Sequence, residues 1–416
     1  MGCRHGRPLF PQYISSPLKV LHIIHSMDPA TGGVARTLRN LIPALSARGV
    51  YGEILCFDDP AEAQRHPEEG CLIHRIGPSA GRWGRVAGFR QWLDAHATDF
   101  DLVVLHGLWL YNGYAYTKWL RRRRHVPGLP VLRTWVMPHG MLDPWFQRSA
   151  GRGLKAIRNF IYWLLIERST IASADLILFT TEAERDKASI TFPLYHPRRS
   201  AILPLGVPPP PMAGEYADTG MISRASASGR ILALGRIDPK KGFDLLPEAW
   251  HRLTTDDRYR DRIPHLLIAG PGWDGTHGRR LKALIDQWEV GRFISTEEML
   301  RGHEKWEALR SSDAVIMPSH QENFGLVAAE ALACGTPLLL SDQVDIHARI
   351  TSAGAGLSDE DTIEGVVRMV KRWIDLGPES REAMRISAGK EYLASFHIDV
   401  TIEGFIGSLK ALDTHA

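Results

Sequence analysis

Residues 318–337 run Pro-Ser-His-Gln-Glu-Asn-Phe-Gly-Leu-Val-Ala-Ala-Glu-Ala-Leu-Ala-Cys-Gly-Thr-Pro. An apolar run, residues 313–317, precedes them and has the length and bounds of a buried strand. Residues 319–323 are a polar loop, and residues 325–334 a helix of small residues stopped by Gly335 and Pro337. A second apolar run, residues 338–340, follows at once. The pattern predicts strand, loop, helix, strand, with the loop at the carboxyl end of the first strand, where ligands gather in parallel sheets. Phe324, Gly325 and Leu326 place unpaired amides at a helix start, which favours an anion such as phosphate. Gly325 lets backbone approach a ligand closely. Glu322 stands before the helix and Glu330 in its second turn. Carboxylates accept from hydroxyls. One on each side of a phosphate site points to a sugar on one side and a ribose on the other, hence to a nucleoside diphosphate sugar.

Two glutamates at this spacing are ordinarily a solvated helix face. Inside Pro-Ser-x-x-Glu-Asn-Phe-Gly-Leu-x-x-x-Glu-Ala-x-Ala-x-Gly-x-Pro they resemble the signature of the family-4 retaining glycosyltransferases, whose fold is GT-B. The resemblance implies two Rossmann-like doubly wound domains facing across a cleft. It also implies transfer of a hexose from a nucleoside diphosphate sugar to an acceptor hydroxyl with retention at the anomeric carbon. GDP-mannose and UDP-hexoses are the first donor candidates, and no further cofactor is expected.

The bulk properties agree with such a chain. At 416 residues it exceeds one ordinary core, and two domains of about 200 residues are expected. Hydrophobic content of 44% and charged content of 23% are those of a globular protein, and a net charge of +3 gives no case for nucleic acid. Cys3, Cys56, Cys71 and Cys334 have neither metal nor disulfide spacing, which suggests a reduced, cytoplasmic compartment. No run approaches the ~18 apolar residues of a membrane span.

In chain order, residues 1–17 are expected to be an extension, 18–207 an acceptor-side domain, 208–229 a Pro- and Gly/Ser-rich linker, and 230–390 the donor-binding domain. Residues 391–416 should form a terminal helix packed back on the first domain, as in the family. Residues 18–25 predict the first strand, leading into Gly32-Gly33 and a helix. A glycine pair there is compatible with an ordinary turn; the family carries such a pair facing the donor phosphates. Strands over 101–106 and 131–137 deliver His106-Gly and His139-Gly. The resemblance places His139 near the donor sugar and His106 on the acceptor side. The helix over 112–124 ends in Arg121, Arg122, Arg123 and Arg124, either a solvated helix end or a contact for an anionic membrane surface. Residues 154–169 carry a broad apolar stripe, expected to be core. Arg236 and Lys241 fall at a strand end and a helix start, where a diphosphate finds cationic partners. Their Gly-Arg-x-x-x-x-Lys-Gly setting resembles the family's phosphate clamp. After Ser341 two or three helices are expected, without site-like loops.

The expected roles follow. Arg236, Lys241, Gly32, Gly33 and the amides of Phe324, Gly325 and Leu326 stabilise the leaving diphosphate. Glu322 holds the donor sugar, Glu330 the ribose, and His139 the transferred sugar, and Asn323 is a further donor-binding residue. The clamp stands where other transferases use a metal, and no metal site is expected. The acceptor is expected to be a glycan or lipid-linked oligosaccharide in exopolysaccharide or O-antigen synthesis, with the enzyme cytoplasmic or peripheral at the inner membrane face. The alternatives are a non-catalytic nucleotide-sugar-binding partner and a GT-B sugar-nucleotide epimerase.

Overall fold

A computed structural model describes residues 17–28, 32–61, 70–127, 132–148, 153–212 and 228–413. The expectations for residues 1–16 and for most of the linker lie outside these. Two parallel sheets organise the chain. The first contains β1 (Leu18–Ile23), β2 (Val50–Cys56), β3 (Leu72–Arg75), β4 (Leu102–His106), β5 (Arg133–Met137), β6 (Leu176–Phe179) and β7 (Ser200–Ile202), in the order β3-β2-β1-β4-β5-β6-β7. The second contains β8 (Arg230–Leu234), β9 (His265–Ala269), β10 (Ile294–Glu297), β11 (Ala314–Met317), β12 (Leu338–Ser341) and β13 (Gly356–Asp359), in the order β10-β9-β8-β11-β12-β13. Strands β4, β6, β8, β11 and β12 are buried at every position, as expected of strands covered on both faces. In each sheet the strand order reverses beside the first strand, between β1 and β4 and between β8 and β11. These two switch points are where a doubly wound sheet opens a crevice for ligand.

The chain returns to its first half at the end. The helix Ile398–Asp413 sets Phe405 against Trp135, with ring centroids 4.9 Å apart. Thr401 Oγ1 accepts from the Gly206 amide at 2.6 Å, and a short parallel bridge sets Val207 beside His397: the Val207 amide donates to the Phe396 carbonyl and the Ile398 amide to the Val207 carbonyl. A side chain at Gly206 would fall 2.6 Å from the Ile398 Cα, so the close crossing requires glycine. One buried apolar cluster consequently runs from Val20 and Trp135 through Phe405 and Phe396 to Phe324 in the second sheet's loop.

Three expectations need correction. The stripe over 154–169 is not core: Leu154 is 87% exposed and Leu165 74%, and Ile157 and Ile161 also face outward. Within this stretch Trp163 and Glu167 turn inward, at either end of a five-residue π-helical turn, Trp163–Glu167. Such a turn holds an extra residue and shifts the side-chain phase by about 100°, so the stripe upstream is carried off the core. Residues 58–100, polar and weakly patterned in sequence and expected to hold one helix, also contain β3, whose short sequence Leu-Ile-His-Arg is only half-buried. β13 interrupts what was read as helices alone; Gly-Leu-Ser-Asp is an edge strand with little apolar signal.

Candidate active site

The second domain contributes charge. β8 ends at Gly235-Arg236, and β11 ends in the loop that holds Glu322. The two loops are stitched together: the His320 amide donates to the Lys240 carbonyl at 2.8 Å. Gly242 sits at φ 64°, and a Cβ there would collide with the Pro318 carbonyl. Lys241 Nζ donates to Glu322 Oε2, and both side chains are largely buried. Burial acts to raise the Glu322 carboxyl, but Lys241, Lys240 and Arg236 outweigh it and hold the group below its ordinary value. Lys240 in turn is pushed down by burial. Arg236 is exposed, and among the described residues it has no hydrogen-bond or ion-pair partner.

The helix Leu326–Ala333 starts at Gly325, whose φ of 74° and crowding by Met317 and Glu322 admit no side chain without displacement. Among the described residues no side chain caps its amides, and its first turn holds no acid. Phe324 turns its ring into the core against Phe396, leaving its backbone at the helix start. Glu330, one turn in, is buried and accepts from Lys305 Nζ at 2.6 Å. Lys305 comes from the helix Gly302–Arg310 and is pushed down by burial. It had no motif to announce it.

The first domain contributes a mostly neutral wall. Gly33 opens the helix Gly33–Ser46, and a Cβ on it would lie 3.3 Å from Leu326 Cδ1, so the first glycine loop faces the start of the second domain's helix. His139 and Gly140 are both left-handed, at φ 53° and 77°. A Cβ on Gly140 would press to 2.8 Å from that of Asn323, across the cleft. Asn323 Nδ2 donates to Thr180 Oγ1 at 2.7 Å.

Arg236, Lys241, Glu322, Glu330 and the Leu326 helix start thus gather at one switch point, with Gly33, His139 and Asn323 closing on them. Residues 32–206 match the family described as Glycosyl transferase 4-like domain, and residues 224–391 the family described as Glycosyl transferases group 1. The chain belongs to the family-4 type of GT-B glycosyltransferases. A D-inositol 3-phosphate glycosyltransferase of Kineococcus radiotolerans is 30% identical over 200 residues, 46% of this chain and 45% of that relative. The matched part therefore spans under half of that relative. The sucrose-phosphate synthase of Thermosynechococcus elongatus superposes with a TM-score of 0.74 at 19% identity, over 96% of this chain and 100% of that chain. Anabaena HepE, solved with UDP and glucose, gives a TM-score of 0.69 at 14% identity, over 95% and 100%.

Two further groups at the site had not been singled out. Glu184 is buried and accepts from the Gly140 amide at 2.6 Å and from the Thr180 amide and hydroxyl at 2.7 and 2.8 Å. Burial raises its carboxyl. Thr-x-x-Glu before a helix is the pattern of a capping box, and Thr181 does cap the helix Glu182–Thr191. The glutamate instead reaches sideways to hold the His139-Gly140 loop. Lys187 bonds Asp345 at 2.6 Å and approaches Asp143 at 3.2 Å. Burial pushes Asp345 up to about 6, and the Asp345 amide donates to the Glu322 carbonyl at 3.0 Å, so this latch joins the domains beside the glutamate. His106 lies buried behind His139 and reaches the cleft only through it.

Proposed function

We propose that this protein transfers a hexose from a nucleoside diphosphate sugar to an acceptor hydroxyl with retention of configuration. The observation that carries the reading is the set of cations, Arg236, Lys240 and Lys241, around a buried Glu322 at an uncapped helix start. Charge develops on the diphosphate as the glycosidic bond lengthens, and fixed cations and amides stabilise it without reorganisation. Glu322 holds the donor sugar and its oxocarbenium-like state. Glu330, oriented by Lys305, accepts from the ribose hydroxyls. The clamp supplies the neutralisation at the diphosphate, and the reaction is expected to run without added metal. Among the described residues no cluster of three or more His, Cys, Asp or Glu side chains could hold a metal ion. Similarity to HepE, solved with UDP and glucose, favours a uridine diphosphate hexose over GDP-mannose as the first donor to test. Chromatography of UDP-glucose, GDP-mannose and ADP-glucose incubated with enzyme and EDTA tests the reading. Slow release of nucleotide from one of them, abolished in Glu322→Gln, is expected. Intact donors throughout would contradict transfer.

The acceptor side includes an anionic membrane surface, in keeping with a lipid-linked glycan acceptor. Arg121 and Arg122 are exposed, whereas Arg124 donates to the Ser173 carbonyl and Arg123 lies over Trp119. Beside them the helix Gly153–Tyr162 and the turn after it present Leu154, Ile157, Ile161 and Leu165. The acid in this helical stretch, Glu167, is buried, so the outward face is apolar and basic. That combination suits a helix lying in a lipid headgroup layer. No helix among the described residues is long and apolar enough to cross a membrane. The patch adjoins the site: Trp109 packs on Tyr162 and donates through Nε1 to the Met141 carbonyl at 3.0 Å. Sedimentation with phosphatidylglycerol vesicles should carry the wild type down and leave Leu165→Asp in solution. Equal partitioning of the two would remove the helix from the account.

A further inference from the structure

Three histidines stand in series through the first sheet. His22 is in β1, His106 ends β4, and His139 follows β5; these are neighbouring strands at the switch point. His22 Nδ1 lies 3.0 Å from His106 Nε2, and His106 Nδ1 lies 3.0 Å from His139 Nε2. Successive ring centroids are 5.3 Å apart in both steps. The nitrogens meet in pairs along a line and do not converge on a point. His22 is fully buried, His106 is 3% exposed, and His139 reaches the cleft.

Burial keeps the rings neutral. It lowers His22 to about 3 and His139 to about 4, and with its histidine neighbours it holds His106 well below its ordinary value. A neutral imidazole has one N–H and one lone pair. A series of such rings can bond only if every N–H points the same way along it. Two directions exist, and the buried end distinguishes them. Among the described residues His22 Nε2 has no hydrogen-bond partner, and the ring lies near Phe405 and the side-chain-free Gly52. If the protons pointed inward, an orphan N–H would be sealed in that apolar pocket. If they point outward, the pocket holds only an unused lone pair. Orphaned buried donors are rarer in native structures than under-satisfied acceptors.

We propose that His22 and His106 are positioning residues that polarise this chain outward and fix His139 as an Nδ1–H donor toward an oxygen of the substrate. His22 Nδ1–H donates to His106 Nε2, and His106 Nδ1–H donates to His139 Nε2. His139 is left with one free group, the Nδ1–H, which has no partner among the described residues. It follows that His139 binds by donating and does not serve as the base that deprotonates the acceptor. Its second nitrogen is already occupied by His106. Passing a proton along the chain would require exchange at His22 Nε2, where nothing can supply or take one. The left-handed backbone of His139, with Gly140 held by Glu184, fixes the ring against this chain. The proposal rests on the nucleotide-sugar reading only for the identity of the accepting oxygen, which that reading makes an oxygen of the transferred sugar.

The test is long-range proton–nitrogen correlation NMR of the full chain labelled with ring-¹⁵N histidine, recorded without substrate. Single His→Gln variants assign the resonances. The expected result is Nδ1 protonation of all three rings, unchanged across the neutral pH range. His139 lies at the cleft, so its own variant assigns that ring even where the variants of the two buried histidines fail to fold, and an Nε2-protonated His139 in the wild-type protein would overturn the proposal. In the second arm, His22→Leu removes the innermost donor, whereas His22→Asn keeps an amide N–H where Nδ1 stood. His22→Leu should mix the His139 tautomers and lower turnover roughly tenfold, as loss of an orienting partner does elsewhere. His22→Asn should restore both. Wild-type tautomers in His22→Leu would show that the buried end sets nothing. Because the spectrum needs no substrate, a failure to find any donor would leave this result standing and would count against the transferase reading alone.

Discussion

The two walls of the cleft are built from opposite materials. The second domain brings charge: Lys241 on Glu322 and Lys305 on Glu330, all largely buried, with Lys240 and the exposed Arg236 alongside. The first domain's wall at the same place consists of three neutral imidazoles, a glycine loop, and a buried Glu184 that accepts from the Gly140 and Thr180 amides and the Thr180 hydroxyl. A charged wall suits a diphosphate, whose leaving oxygen gains charge during the reaction. A neutral, direction-fixed wall suits hydroxyl groups, which need oriented donors and acceptors and would be misplaced by strong fields. The division also separates precision from strength. Ion pairs on the donor side are strong and few, while the loop at His139 is held by several ordinary hydrogen bonds.

The largest expected effect breaks the charged wall. Glu322→Ala should lower turnover about 10²- to 10³-fold, the usual consequence of losing one preorganised group at the reacting centre, measured by steady-state kinetics with the active donor. An effect under tenfold would shift the reacting sugar away from this glutamate. Next, Lys241→Ala leaves Glu322 buried with weaker partners. Breaking such a pair costs about 3 kcal/mol at most where other cations remain, and urea unfolding should register it together with weakened donor use. Unchanged donor turnover would show that Lys241 is structural only.

A smaller effect sharpens the contrast from the neutral side. Glu167 accepts from the Trp109 amide at 2.6 Å, and burial pushes its carboxyl up to about 7. The folded state therefore binds this proton more tightly than the unfolded chain. The stability it adds is complete below the unfolded value near 4.5 and is lost as pH rises through 7. Between about pH 6 and pH 8 the loss should be about 1.4 kcal/mol. Glu167→Gln should flatten that slope while keeping an acceptor for Trp109. An equal slope in the variant would assign the pH dependence to another group. Smallest of all, Arg121→Ala and Arg122→Ala should each weaken vesicle binding by about 1 kcal/mol, or roughly fivefold.

The same contrast explains what could be read from the chain. The charged wall is nearly contiguous. Pro318 to Pro337 carry a strand end, a glycine entry, two glutamates and a helix stop within one βαβ unit, so their order alone exposes the chemistry. The neutral wall is collected from β1, β4, β5 and β6, and its logic lies between strands. Nothing near His22 in the sequence indicates that it stands behind His106, and Glu184 imitates an ordinary capping residue. Lys305 has no motif because its partner, Glu330, lies on another helix. The apolar stripe before Glu167 was misread because periodicity shows that a face exists and cannot show what covers it. β3 and β13 escaped because short edge strands carry little of the alternation that identifies a strand.

The most direct test of the account is thermal unfolding against UDP-, GDP- and ADP-sugars in EDTA, comparing the wild type with Glu330→Ala. A donor at one hundred times its dissociation constant should add about 2.7 kcal/mol to the wild type. The account predicts this shift for one nucleotide sugar and its loss in Glu330→Ala. A folded wild type that none of them stabilises would contradict the nucleotide-sugar site.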